Sequence, residues 1–356
     1  MADITERRGT EETGAAGLRA VGSKADNPRL SVGTPFRGTK HSFRMENSEN
    51  MSIHFTDFIL LGFSDVEWQC LPGIILIMYF LSVTGNMIII FVVCTDRHLS
   101  SPMYFFIANL SFIEILYTSV TIPKLLVVLI GNNRIISFNG CITQFYFFFC
   151  FGSTECFLLA VMSYDRYTAI CNPLLYNIIM SQPVCFYLVL ACWMSSFFPN
   201  LIATLIIANL KFCGQNIHHF FCDLFPLLQL SCYNTNKLQT LNFFTASTIL
   251  LFSFSLTLWT YIRIIMTILK TSSINSRFKA FSTCASHLTV VLIFFGTVAF
   301  VYLRPRVSGD FNLNKVQSVI YIVVTPVINP LIYSFRNKYI KMAIKSCWKN
   351  IVIFVK

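Results

Sequence analysis

The sequence predicts an all-α membrane protein: a seven-transmembrane helix bundle with a short amphipathic C-terminal helix. Three observations lead there. Only 12% of the 356 residues are charged while 55% are hydrophobic, against about a quarter charged in a soluble domain. The mean hydropathy is +0.63, so the formal charge of +11 points to a membrane rather than to nucleic acid. The charges are also clustered, and the gaps between them have the length of a membrane span. No Asp, Glu, Lys or Arg stands between Glu67 and Asp96, Arg166 and Lys211, Lys237 and Arg263, Lys279 and Arg304, or Lys315 and Arg336. Each gap holds the roughly 20 apolar residues that cross a bilayer.

Two further stretches complete the set. Pro102 to Val128 carries only Glu114 and Lys124, and Cys141 to Met162 carries only Glu155. The spans are therefore expected near 71–95, 103–126, 141–168, 184–207, 241–268, 281–303 and 316–335. All should be helical, because an open strand leaves backbone groups unpaired in lipid. An odd number of spans puts the termini on opposite sides. Lys and Arg are more numerous on the side of Arg97, Arg166, Arg263, Arg277 and the tail from Arg336. That excess places the C-terminus in the cytoplasm and the N-terminus outside.

Outside the bundle, residues 1–44 are polar, without an apolar run, and read as a disordered N-terminal extension. Residues 45–70 read as an extracellular N-terminus. Asn50-Met51-Ser52 is a glycosylation sequon on the expected outer side, whereas Asn109-Leu110-Ser111 lies within a span. Residues 271–280 read as a short basic loop between spans five and six. After the seventh span, 336–350 alternates basic residues with Tyr339, Ile340, Met342 and Ile344, the pattern of a helix lying on a lipid surface. The thirteen Cys are too dilute for a small disulfide scaffold. Three of them, Cys213, Cys222 and Cys232, are regularly spaced in one long loop.

Ionisable groups within spans are costly and mark function by default. Glu114 and Glu155 lie mid-span with no basic residue nearby in sequence. Either they meet and share a proton or a cation, or each is a separately bonded neutral acid. Asn86 and Asn329 are further buried amides that serve equally well as interhelical glue. Asp165 and Arg166, followed by Tyr167, end the third span. No Walker loop, zinc spacing or nucleophile elbow is present, so no enzyme is expected. A transporter or channel would show internal repeats, and none is found between the halves.

Several strings, taken together, are specific. They are Gly85-Asn86, PMYFFIANLSF (102–112), MSYDRYTAIC (162–171), NPLLY (172–176), KAFSTCASHLTVV (279–291) and PVINPLIYSFRN (326–337). In this combination and order the chain resembles the olfactory receptors, a branch of the rhodopsin-like G-protein-coupled receptors, over about 45–350. Departures include Glu114 in place of a more frequent Asp and Phe295 in place of a Tyr. A rhodopsin-like receptor for an internal metabolite would be built alike.

The resemblance implies a receptor for small volatile or semi-volatile molecules that activates a stimulatory G protein and raises cyclic AMP. It points Phe149, Gly152 and Ser153, which share a helix face, at the ligand. Asn242, Thr245 and Ala246 on span five, and Phe295, Val298 and Tyr302 on span six, are implied to line the same cavity, although bundle packing accounts for each stripe equally well. No carboxylate stands in the outer half of span three, which argues against an amine ligand. The resemblance pairs Cys141 with Cys222 and Cys213 with Cys232. It makes Asp165, Arg166 and Tyr167 part of a switch, with Tyr261 and Tyr333 lining the opened cavity and Pro330 kinking span seven beside Asn329. Asn86, Glu114, Glu155 and Asn329 would link pocket to switch, around a sodium ion or a proton. The implied partners are an odorant, a heterotrimeric G protein and membrane lipid, with no nucleic acid.

Overall fold

The computed structural model describes residues 56–62, 70–131, 133–271, 273–302, 315 and 318–355. They belong to one compact unit, residues 52–356. The expected extension 1–44, Asn50 and the stretch 303–314 lie outside the described residues.

Ten helices are seen among the described residues: α1 (Leu71–Thr95), α2 (Pro102–Ile130), α3 (Phe138–Cys171), α4 (Tyr176–Ile179), α5 (Gln182–Ala208), α6 (Leu224–Gln229), α7 (Asn236–Lys270), α8 (Ile274–Tyr302), α9 (Thr325–Arg336) and α10 (Lys338–Val355). Five of them, α1, α2, α3, α5 and α7, are long and apolar enough to cross a membrane. Shorter apolar runs, Cys284–Ala299 and Ile322–Ser334, fall where spans six and seven were expected. The chain is a helical membrane bundle, and α1 coincides with the charge gap that predicts it.

Helix ends follow local chemistry. Pro102 opens α2, where a missing N–H costs nothing. Gly131 closes it at φ +83°, a left-handed position that suits glycine. Ser137 caps α3 by accepting the Gly140 N–H at 3.2 Å. Several helices outrun the expected spans, because a helix continues beyond the lipid wherever no breaker stops it. The basic loop expected over 271–280 is the clearest correction: α8 already begins at Ile274. Arg277 then donates to the Thr271 carbonyl at 2.6 Å and to the Leu269 carbonyl at 3.1 Å, closing the connection to α7.

α3 is the hub. It packs against α2, α5, α7 and α8 and buries more of its apolar run than the other four long helices. α1, α5 and α7 instead expose large side chains such as Ile77, Phe80, Ile202 and Phe244, as a lipid-facing surface requires. The main core joins Phe106, Leu110, Phe148, Leu159, Phe294 and Tyr333.

A small sheet crosses one end of the bundle. Its central strand β1 (Asp57–Leu60) pairs antiparallel with β2 (Ile135–Ser137) and parallel with β3 (Asn216–Ile217). β1 alternates half-buried and buried residues, so Phe58 and Leu60 point inward onto Phe145, Phe212 and Leu228. The sequence pattern predicts no strand here. Four residues are too short a run for periodicity to register.

Candidate functional site

α3 carries both ends of the candidate site. Cys141 and Arg166 stand 25 residues apart on it, about 37 Å at the rise of an α-helix.

At the Cys141 end the chain is stapled twice, Cys141 to Cys222 and Cys213 to Cys232, as the resemblance implies. The first bridge spans 81 residues of sequence and the second 19. Between them the loop turns into the bundle. Phe220, Phe221 and Cys222 are buried, and Phe221 rests on Phe148 with ring centroids 4.9 Å apart. Gln144 fixes the loop by accepting the Cys222 N–H at 3.1 Å while donating to the Val120 carbonyl at 3.0 Å. His219 and Asp223 stand close to Cys222 in the sequence. Cys222 is spent in the disulfide, and no three His, Cys, Asp or Glu side chains among the described residues gather as a metal site. The buried aromatic pair was missed in the sequence, although two Phe beside a bridging Cys offered the signal.

Of the residues expected to face a ligand, Phe149, Gly152 and Ser153 are half-buried on one face of α3. The Asn200 amide of α5 reaches the Phe149 carbonyl at 3.5 Å and the Ser153 hydroxyl at 3.4 Å. On α8, Phe295 and Val298 are buried in the core, and Phe295 meets Phe254 of α7 edge-on at 5.4 Å. Tyr302 ends α8, and its side chain lies outside the described residues. Asn242 is half-buried, while Thr245 and Ala246 are exposed. Asn242 and Thr245 bond back to Leu238 and Leu241 of their own helix. The fully buried residues of α7 start only at Ser253, while Leu238, Ile249 and Leu250 before it are partly buried against the core.

The middle of the bundle is polar. Asn329 donates its amide to Glu114 Oε1. Glu155 lies near enough for its carboxylate to interact electrostatically with Glu114. Asn86 donates to the Ser82 carbonyl at 3.0 Å and to the Pro326 carbonyl at 3.4 Å, and the Ser82 hydroxyl reaches the same Pro326 carbonyl at 3.1 Å. The cause is Pro330, which has no N–H to offer the carbonyl four residues earlier. That carbonyl belongs to Pro326, and α1 supplies the missing donors. Gly85 makes the approach possible: a Cβ there would stand 3.3 Å from the Pro330 ring. Four buried oxygens, Asn86 Oδ1, Glu114 Oε2, Glu155 Oε1 and Asn329 Oδ1, find no hydrogen-bond donor among the described residues. A set of oxygens including two carboxylates suits a hard cation such as sodium.

At the other end of α3, Asp165 is fully buried and holds two partners. Arg166 donates to its Oδ2 through Nε at 3.0 Å and through a second, shorter bond from its guanidinium. Tyr176 of α4 donates its hydroxyl to Oδ1 at 2.8 Å. Burial, then the Asp165 carboxylate, holds the Tyr176 hydroxyl well above its ordinary pKa, so it stays a donor. Among the described residues of α8, Cys284 and His287 lie near enough to Arg166 to interact with it electrostatically. His287 Nδ1 is hydrogen-bonded to the Tyr261 hydroxyl of α7 at 2.7 Å. Tyr167 packs against Trp259 at 5.2 Å. Tyr333 is buried, and its hydroxyl has no hydrogen-bond partner among the described residues. Tyr176 and His287 were not singled out in the sequence, although both stand inside the quoted strings.

Comparison with known proteins agrees with this architecture. The family profile described as "Olfactory receptor" matches residues 75–350. Olfactory receptor 6C75 of Homo sapiens is 47% identical over 304 residues, covering 85% of this chain and 97% of that protein. Olfactory receptor 6S1 of Homo sapiens is 45% identical, covering 86% of this chain and 94% of that protein. Olfactory receptor 6B9 of Mus musculus is 45% identical, covering 85% and 95%.

Proposed function

The chain belongs to the olfactory receptor family, and from that premise we propose that it is an odorant receptor of the plasma membrane that activates a stimulatory G protein and raises cyclic AMP. The family is one of multi-pass, non-enzymatic receptors that couple a small molecule to a G protein. The finer reading gives the chain an extracellular N-terminus and a cytoplasmic C-terminus. The disulfide-bonded loop supports that orientation, since disulfides persist in an oxidising compartment.

The observation that carries the signalling reading is the buried Asp165, shared by Arg166 and Tyr176. In the resting state this cluster holds Arg166 away from the cytoplasm. Activation moves α8 relative to α3, parts the Tyr261–His287 contact and turns Arg166 toward the G protein. A ligand achieves this only through contacts that differ between the two states. Phe149, Gly152 and Ser153, with Phe295 and Val298 opposite, are the ligand-facing residues of this reading. Asn242, Thr245 and Ala246 of α7 complete the ligand-facing set of this reading.

Glu114 and Glu155, with Asn86 and Asn329, hold a sodium ion in the resting state. When bound, the ion supplies positive charge to two carboxylates that otherwise repel. Raising external sodium should then shift agonist dose–response curves to higher concentration, and Glu155→Gln should remove that shift. A sodium response that survives in Glu155→Gln and Glu114→Gln would end the cation reading.

The G-protein class is tested by co-expressing the chain with stimulatory, inhibitory or phospholipase-coupled G proteins and applying an odorant panel. A cyclic AMP rise with the stimulatory protein is expected. Responses confined to another class would refute the assignment.

A further inference from the structure

We propose that Asn200 positions Ser153 as a hydrogen-bond donor, and that the pair selects ligands bearing a neutral carbonyl oxygen. The proposal rests on the odorant-receptor reading above and names the ligand chemistry of that site.

Serines and threonines within these helices mostly return their hydroxyl proton to their own backbone. Thr154 donates to Cys150 at 2.7 Å, Ser195 to Ala191 at 2.6 Å, Ser196 to Cys192 at 2.8 Å and Thr289 to Ala285 at 2.7 Å. Ser153 makes no such bond. The carbonyl it would use, Phe149, is approached instead by the Asn200 amide at 3.5 Å.

The direction of the Asn200 contact follows from its surroundings. Asn200 Nδ2 stands 2.8 Å from the Ser196 carbonyl and 3.5 Å from the Phe149 carbonyl. Both are obligate acceptors, so the amide end facing them must be the NH₂. The Ser153 hydroxyl lies on that same side at 3.4 Å and therefore accepts. Its own proton is left for another acceptor. Asn200 and Ser153 are half-buried, so both are reachable, and Gly152 beside them adds no side-chain bulk.

Charge narrows the ligand class. Neither α5 nor the part of α3 before Glu155 contains an Asp, Glu, Lys or Arg. An ionised ligand would find no counter-charge on these two helices. A neutral ketone, aldehyde or ester supplies an acceptor without one. A site built around a polar partner discriminates strongly against the analogue that lacks it, because the donor is then stranded.

The test uses the full chain, expressed with a stimulatory G protein and surface staining. The probes are 2-ketones and methyl esters, each ketone matched with the 2-methyl-1-alkene in which =CH₂ replaces =O. The readout is the ratio of the ketone and alkene half-maximal concentrations. Wild type should favour ketones at least about fivefold, the worth of one hydrogen bond near 1 kcal/mol. Ser153→Ala should bring the ratio close to one, and Ser153→Thr, which keeps a hydroxyl, should retain most of it. Asn200→Ala should also collapse the ratio with the hydroxyl still present, because Ser153 is then free to bond the Phe149 carbonyl. The double variant should add nothing to either single change. Equal potency of ketone and alkene in wild type, or a ratio unmoved by Ser153→Ala, overturns the proposal and leaves the odorant reading standing. Silence of a surface-expressed receptor toward the probes and a broad odorant panel overturns both.

Discussion

Asp165 is an acidic side chain with no access to solvent, and two side chains of different character hold it. Arg166 answers its charge and Tyr176 takes one remaining lone-pair direction. Removing a partner from a buried carboxylate costs about 1 to 3 kcal/mol. On the proposed reading that cost falls on the resting state alone. Tyr176→Phe should therefore raise basal cyclic AMP roughly fivefold or more, as a loss near 1 kcal/mol implies. Basal signalling equal to wild type at equal surface density would show that Tyr176 does not hold the switch. The acid and its arginine were legible in the sequence because they are adjacent charges at a span end. Tyr176 was not, since the tyrosine that ends NPLLY carries no mark of which carboxylate it meets. His287 was hidden for the same reason: its partner Tyr261 is 26 residues away, on another helix.

At the scale of elements, α1 donates two side-chain hydrogen bonds to one carbonyl of α9. Pro330 orphans the Pro326 oxygen, Ser82 and Asn86 satisfy it, and Gly85 lets the helices come close enough. Asn86→Leu strips one of these donors and adds apolar bulk, and should lower the melting temperature of the detergent-solubilised receptor. Gly85→Leu should do more harm, because its side chain must displace Pro330 rather than a flexible tip. A wild-type melting temperature for Gly85→Leu would refute the close approach. Span seven itself was legible, whereas the π-helical turn at Ile320–Val324 leading into α9 was not. Two prolines four residues apart, Pro326 and Pro330, disturb the backbone ladder there, but the apolar pattern continues through them. The outer layer tells a similar story. Its cysteines were paired through the resemblance, while the β1 clasp and the inserted Phe220 and Phe221 emerge only from contacts distant in sequence. Loop-closure entropy assigns the Cys213–Cys232 bridge about 3 kcal/mol and the Cys141–Cys222 bridge about 4.5 kcal/mol. Cys213→Ala should accordingly reduce surface delivery less than Cys222→Ala, measured by staining of intact cells, and the reverse order would contradict that ranking.

For the molecule as a whole, composition fixed the class and charge spacing fixed the spans. The low charged fraction is what helices with exposed Ile, Leu and Phe require, and Glu114, Glu155 and Asp165 are acids buried inside them. Which helix faces which neighbour was not legible, because each span is apolar on several sides and lipid rewards every apolar face alike. Thr245 and Ala246 illustrate this: their spacing gives a face of α7, but not what covers it, and both side chains are exposed. The central claim is that ligand binding near Ser153 is converted to G-protein activation by Arg166, at the far end of α3. The most direct measurement is odorant-stimulated cyclic AMP in wild type and Arg166→Ala at matched surface density. Wild type should respond in a dose-dependent way, and Arg166→Ala should lose most of that response. An undiminished response in Arg166→Ala would contradict the account.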